Sequence, residues 1–174
     1  GGIKSTNFEF TEISRDINNS KKSKKIKNHW LIANSHVLDL VFHLCGKPKN
    51  WAYWYKGKLN WHPSSARYCG SGITDKGIMF SYLSDWASPG SWKIEIMTKK
   101  NRYILKPLES LHMMKLNSFK VEKIRLDNYY DKKFKPGLYQ QTKKFLKGKK
   151  FELCSLSEQV ENIKIYNKIA GYKG

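Results

Sequence analysis

The chain has 174 residues, with 33 Lys+Arg against 14 Asp+Glu and a formal net charge of +19. Six Trp, ten Tyr and eight Phe exclude general disorder, because so much large apolar surface has to be buried, and the length suits one domain with a real core. No stretch approaches the roughly 20 apolar residues of a membrane-spanning helix; the longest apolar run, Val37 to Cys45, is interrupted by Asp39 and His43.

Gly1-Gly2 reads as a tag remnant and is set aside. Asn7 to Ser14 alternates, with Phe8 and Phe10 on one face, which predicts a strand. Asn18 to Lys27 is polar and rich in lysine, and like charges this dense predict an exposed loop. Trp30 to Cys45 repeats apolar residues at three- and four-residue steps and stops at Gly46 and Pro48, predicting one largely buried helix. Strand patterns follow. Trp51–Tyr55 and Lys58–Trp61 read as a hairpin about Lys56-Gly57, and Arg67–Gly72 and Ile78–Trp86 flank a turn at Thr74–Gly77. Trp92–Thr98 alternates and turns at Lys99–Asn101 into Arg102–Leu105, and Phe119–Leu126 is one more strand. Two helices close the chain. Leu138–Leu146 follows Pro136-Gly137, and Glu158–Ala170 follows a capping box of Ser155 and Glu158 and ends at Gly171.

The fold class is therefore α+β. It is a large, mostly antiparallel open sheet in a single domain over 1–174, with helices packed on one face. The other sheet face, rich in aromatic residues by this reading, is expected to be a partner surface.

The cations are mostly lysine; only Arg15, Arg67, Arg102 and Arg125 carry the guanidinium fork that suits base and phosphate recognition. Lysine surplus with many Asn and Ile fits an AT-rich coding bias, so nucleic acid is a weak expectation. The Lys21–Lys27 run keeps open the alternative of a stand-alone basic module for nucleic acid or an anionic polysaccharide. Cys45, Cys69 and Cys154 form no CxxC pair, which suits three reduced, mostly buried thiols in a cytoplasmic protein. No GxGxxG, Walker, GxSxG or HExxH pattern occurs, so no dinucleotide site is expected within the chain.

His29, His36 and His43 recur every seven residues on one helix face. Their rise of roughly 10 Å per step keeps any two of them from sharing a metal ion. Asp39 stands three residues after His36 and four before His43, in reach of either ring. Trp61-His62-Pro63 is a second polar–aromatic cluster, able to stack on a sugar or to fill a core. Lys135 precedes a helix N-terminus that could take an anion, with Tyr139 on its first turn.

The helix SHVLDLVFHLCGKP, the run from Trp61 through Leu111, the segment FKPGLYQQTKKFL and the closing IAGY together resemble the Gfo/Idh/MocA oxidoreductases, over about Phe8 to Tyr172. The resemblance implies an N-terminal dinucleotide-binding domain, absent here, and a C-terminal α+β domain that this chain would be. It implies hydride transfer between a sugar or polyol carbon and NAD or NADP, with no cofactor held by this chain alone. It makes His36 the catalytic base or a substrate ligand, a role an imidazole suits near neutral pH. Asn34, Asp39, His62, Lys135 and Tyr139 become candidate substrate-binding residues. The resemblance also implies a homodimer through the open sheet face. Two departures stand out. Ile32 occupies the position four before the histidine where many members carry Asp, so a pure assembly domain that has lost catalysis stays open. Lys106-Pro107 follows Leu105 within the sheet, so the family's Glu-Lys-Pro lysine is not assigned to it.

Overall fold

The computed structural model describes residues 2–148 and 153–173; Gly1, half of the suspected tag remnant, lies outside them. The strands are β1 (Ile3–Phe10), β2 (Pro48–Lys56), β3 (Arg67–Thr74), β4 (Met79–Asp85), β5 (Trp92–Thr98), β6 (Asn101–Leu105), β7 (Leu111–Lys115) and β8 (Val121–Lys123). They form one eight-stranded sheet in the order β2-β3-β4-β1-β5-β6-β7-β8. Every neighbouring pair is antiparallel except β1 and β4, which run parallel. The helices are α1 (Ser14–Asn19), α2 (Lys24–Asn28), α3 (Trp30–Ala33), α4 (His36–Cys45), α5 (Tyr129–Lys133), α6 (Leu138–Leu146) and α7 (Leu156–Ala170).

The alternation of Phe8 and Phe10 sets one face of β1. The same face carries Tyr68, Phe80, Tyr82, Ile94 and Ile96, all buried, and receives Val37, Leu38, Val41 and Phe42 of α4 and Tyr166 and Ile169 of α7. Gly70 and Gly72 of β3 exist for this packing. A Cβ on Gly70 would stand 2.6 Å from the Tyr82 ring, and one on Gly72 would strike the backbone of β2.

The sheet register reverses one expectation. Trp51, Tyr53, Tyr68, Phe80 and Tyr82 pair across β2–β3–β4 on the helix-covered face. The open face instead presents Trp54, Ile73, Met79 and Leu83, exposed, among Ser71, Ser81 and Asn7. It is an aliphatic and polar surface with one tryptophan.

Other boundaries also move. β1 ends at Phe10, and Ser14 opens α1. The lysine run is partly helical: Ser23 caps α2, accepting from the Ile26 N–H. Its Lys22 ammonium lies 5.6 Å from the Trp30 ring centroid, and Lys27 Nζ donates to the Asn18 carbonyl at 2.7 Å. Trp30–Cys45 is two helices broken at Asn34-Ser35. β2 pairs with β3, while Lys58–Trp61 folds through a lone Leu59–His62 bridge instead of forming a hairpin strand. β7 and α5 lie where no element was expected, and β8 is only three residues long. Only Cys45 of the three thiols is buried; Cys154 is exposed. No helix among the described residues is long and apolar enough to cross a membrane.

Candidate active site

The break between α3 and α4 is the start of the site. Asn34 has left helical geometry, at φ −137° and ψ 55°, and its Nδ2 donates to Glu12 Oε1 at 2.8 Å. The same oxygen accepts from Trp92 Nε1 at 3.3 Å. The Trp92 ring in turn meets the His36 ring, centroid to centroid at 5.6 Å. His36 is the first residue of α4 and is exposed. One carboxylate in the segment between β1 and α1 thus ties together the residue at the helix break and the indole that flanks the histidine.

Burial pushes the Glu12 carboxyl up to about 7, against the indole N–H groups of Trp30 and Trp92 and the Asn34 amide, which favour the charged form. The Trp30 indole acts without a hydrogen bond of normal geometry. Glu12 and Trp92 line a cleft of about 540 Å³, together with Ile13, Ile17, Leu108 and Ser91. The Ser91 hydroxyl has no hydrogen-bond partner among the described residues. An apolar wall with a few convergent polar groups and a carboxyl that titrates near neutrality is what a small polar ligand requires.

The other expected residues are placed elsewhere. Asp39 does not reach His36 or His43. Its Oδ2 accepts from Ser35 Oγ at 2.6 Å and its Oδ1 from Asn162 Nδ2 at 3.4 Å and from the Tyr166 hydroxyl. It is a clamp between α4 and α7. Burial, reinforced by Asp39, drives the Tyr166 hydroxyl far above its ordinary range.

His62 is a core residue with 0% exposure. Its Nδ1 bonds the Ser65 carbonyl at 2.6 Å, which assigns the proton there. Its Nε2 then accepts from the Tyr172 hydroxyl at 2.7 Å, and that oxygen accepts from the Leu31 N–H at 3.1 Å. Burial lowers the His62 pKa, the Ser65 carbonyl opposing it, so the ring is neutral. With both nitrogens spent in the core, it offers a sugar nothing.

Lys135 and Tyr139 belong to the α5–α6 hairpin. Tyr139 stacks on Tyr130 at 3.9 Å and 5°, and on Phe134 at 5.8 Å, so its faces meet other rings. The expected anion site at the start of α6 already holds a carboxylate: Asp131 Oδ1 accepts from the Gly137 N–H at 2.9 Å. The structure thus brings together His36 and Asn34 and adds Glu12 and Trp92. Nothing in the run NFEFTEIS marked Glu12, because its partners lie 22 and 80 residues away.

The described residues do not form the strand, glycine-rich turn and helix that cradle a dinucleotide in a doubly wound fold. The first strand is followed by short helices with no glycine-rich turn, and the sheet is not built of parallel βαβ units. Among the described residues no group of three His, Cys, Asp or Glu side chains is placed to hold a metal.

The chain has the fold found in oxidoreductases of the Gfo/Idh/MocA type. One match is UDP-N-acetylglucosamine 3-dehydrogenase from Acidithiobacillus ferrooxidans, at a TM-score of 0.68 and 13% identity, covering 98% of this chain and 54% of that one. An oxidoreductase structure from Thermotoga maritima matches at 0.66 and 10% identity, over 99% and 54%. Levoglucosan dehydrogenase, in complex with NADH and levoglucosan, matches at 0.54 and 13% identity, over 78% and 43%. The chain spans about half the length of these proteins or less. No family model matches the sequence, and no curated protein does.

Proposed function

We propose that this chain is the C-terminal, substrate-side domain of an NAD(P)-dependent sugar or polyol oxidoreductase of the Gfo/Idh/MocA family, acting in the cytoplasm. The observation that carries this reading is that nearly the whole chain superposes on about half of solved oxidoreductase structures, with the His36 ring against Trp92, which lines an open cleft beside Glu12.

In this reading the nicotinamide is held by a dinucleotide-binding domain outside these 174 residues and, when bound, accepts or supplies the hydride. The work of this chain is binding and proton handling. Trp92 offers an apolar ring face for the sugar. His36 takes the hydroxyl proton through an imidazole nitrogen as the carbonyl forms. Glu12 holds Asn34 and Trp92 and so fixes the break from which His36 projects. The residues Ile13, Ile17 and Leu108 give the cleft its apolar wall. Ile32 leaves the histidine without the usual Asp relay, and Glu12 is tied to the same helix break through Asn34.

The open face, with Trp54, Ile73, Met79 and Leu83 exposed, is the proposed homodimer surface. The test is NAD(P)H formation by the full-length protein carrying this domain, with a panel of sugars and polyols. Reduction of NAD or NADP with at least one of them supports the reading, and none with any, in a folded protein, overturns it.

A further inference from the structure

No residue of α5 or α6 is buried. The two helices are held to each other by rings: Tyr139 stacks on Tyr130 and Phe134, and Tyr129 meets Tyr130 edge-on at 5.1 Å. Other apolar side chains of the hairpin are left outside. Phe145 is 73% exposed and Leu146 78%, and Tyr129, Phe134 and Leu138 are exposed as well. A helix on a globular protein normally turns such residues onto a core.

The pattern on α6 is nonetheless two-sided. At about 100° per residue, Leu138, Tyr139, Phe145 and Leu146 fall within an arc of about 120°. Lys143 and Lys144 lie outside that arc, as does Lys147 at the helix end. Residues 129–148 carry six Lys and one Asp. That one carboxylate, on Asp131, is turned onto the Gly137 N–H. Charge also stands directly beside the apolar surface. Lys133 Nζ lies 5.8 Å from the ring centroids of Tyr129 and Phe134, and Lys143 Nζ 5.7 Å from that of Tyr139.

We propose that the α5–α6 hairpin docks on an anionic lipid surface. In this arrangement α6 lies in the plane of the interface, with Leu138, Phe145 and Leu146 at the acyl boundary and the lysines among the headgroups. Two features favour a bilayer over a groove on an acidic protein. All six cations are lysine. An ammonium is a compact, hydrated point charge that suits the diffuse field of many headgroups, whereas fixed carboxylates are matched by the guanidinium fork. The exposed apolar residues of α6 are Leu and Phe, the kinds that enter the headgroup–acyl boundary, and tyrosines beside them suit the headgroup level. A helix of this kind rests on a membrane without crossing it, so the nine residues of α6 suffice. The docking does not depend on the dehydrogenase reading.

The test is co-sedimentation of the full-length protein with sucrose-loaded vesicles. One set is phosphatidylcholine with about 30% phosphatidylserine and the other is phosphatidylcholine alone. Binding is expected on the anionic vesicles and should be about tenfold weaker or more on the neutral ones and in high salt. Phe145→Ser/Leu146→Ser and Lys143→Gln/Lys147→Gln should each weaken it about tenfold, with the folded state checked by circular dichroism. Lys24→Gln/Lys25→Gln on α2 should leave it within about twofold. No binding to anionic vesicles would overturn the proposal, and so would undiminished binding in the folded hairpin variants or loss of binding in the α2 variant. Binding of polyglutamate but not of vesicles would give the face to an acidic polypeptide instead. Binding by the 174-residue chain but not by the full-length protein would show that another domain covers the hairpin, and would equally overturn the proposal. Turnover without vesicles should be the same in wild type and in both hairpin variants, so lipid binding and dehydrogenase activity succeed or fail separately.

Discussion

Replacing Glu12 by Gln removes one titrating proton and keeps an oxygen for Asn34 and Trp92. Burial raises the carboxyl from an ordinary 4.5 to about 7. Between those values the folded state holds a proton that the unfolded state has lost, so the contribution is fully present below about pH 4.5 and fades as pH rises through 7. The full span is worth about 3 kcal/mol, an upper figure for a group that keeps some contact with water. The assay is urea unfolding of wild type and Glu12→Gln at pH 5 and pH 8. Wild type should lose up to about 2.5 kcal/mol relative to the variant on going from pH 5 to pH 8. The two stability curves should otherwise run parallel, and Trp92 emission should change with pH only in wild type. Parallel behaviour across the whole range would show that Glu12 is solvated, and the reasoning that ties it to Asn34 and Trp92 would fail.

His62 acts in the opposite direction: its lowered pKa means stability present above the unfolded value of about 6.5 and lost as pH falls through the folded one, a slope that His62→Gln should abolish in the same unfolding series. Asp39→Ala strands Tyr166, Asn162 and Ser35 and should destabilise by about 2–4 kcal/mol; an effect under ~0.5 kcal/mol would contradict the clamp. Gly70→Ala should destabilise by a similar amount, because its Cβ meets the Tyr82 ring, and Tyr82→Ala should relieve that added cost in a double-mutant cycle. Met79→Lys with Leu83→Lys should convert a dimer to monomer in sedimentation, and an unchanged oligomer would move the interface off the open face.

The elements with local causes could be read from the sequence. The alternation of Trp92–Thr98 became β5 with its limits intact, and Pro136-Gly137 marked the start of α6 correctly. Ser155 and Glu158 marked the last helix, though it begins at Leu156. What escaped was non-local. The helical period runs unbroken from Trp30 to Cys45, whereas at the break the Asn34 amide is held by Glu12, 22 residues earlier in the chain. The parallel pairing of β1 with β4 joins segments some 74 residues apart, held also by the Asn7 amide on Ser81. β7 lacks the alternation that betrays a strand, since Leu111, His112, Met113 and Met114 are all half-buried. His36 and Asn34 could be named as candidates because they fall in a segment of recognisable helical period, although Asn34 itself lies at the break. The core fate of His62 was not legible, because its ring is satisfied by Tyr172 from the far end of the chain.

The most direct test of the central claim is turnover by the full-length protein with His36→Ala, measured with Glu12→Gln beside it. In its proposed role of taking the hydroxyl proton, His36 should lower kcat by about 10²-fold or more when removed, with substrate binding largely kept. Glu12→Gln, a positioning change, should shift the pH profile more than the maximal rate. Unchanged turnover in the folded His36→Ala protein would contradict the assignment of this chain's chemistry to His36.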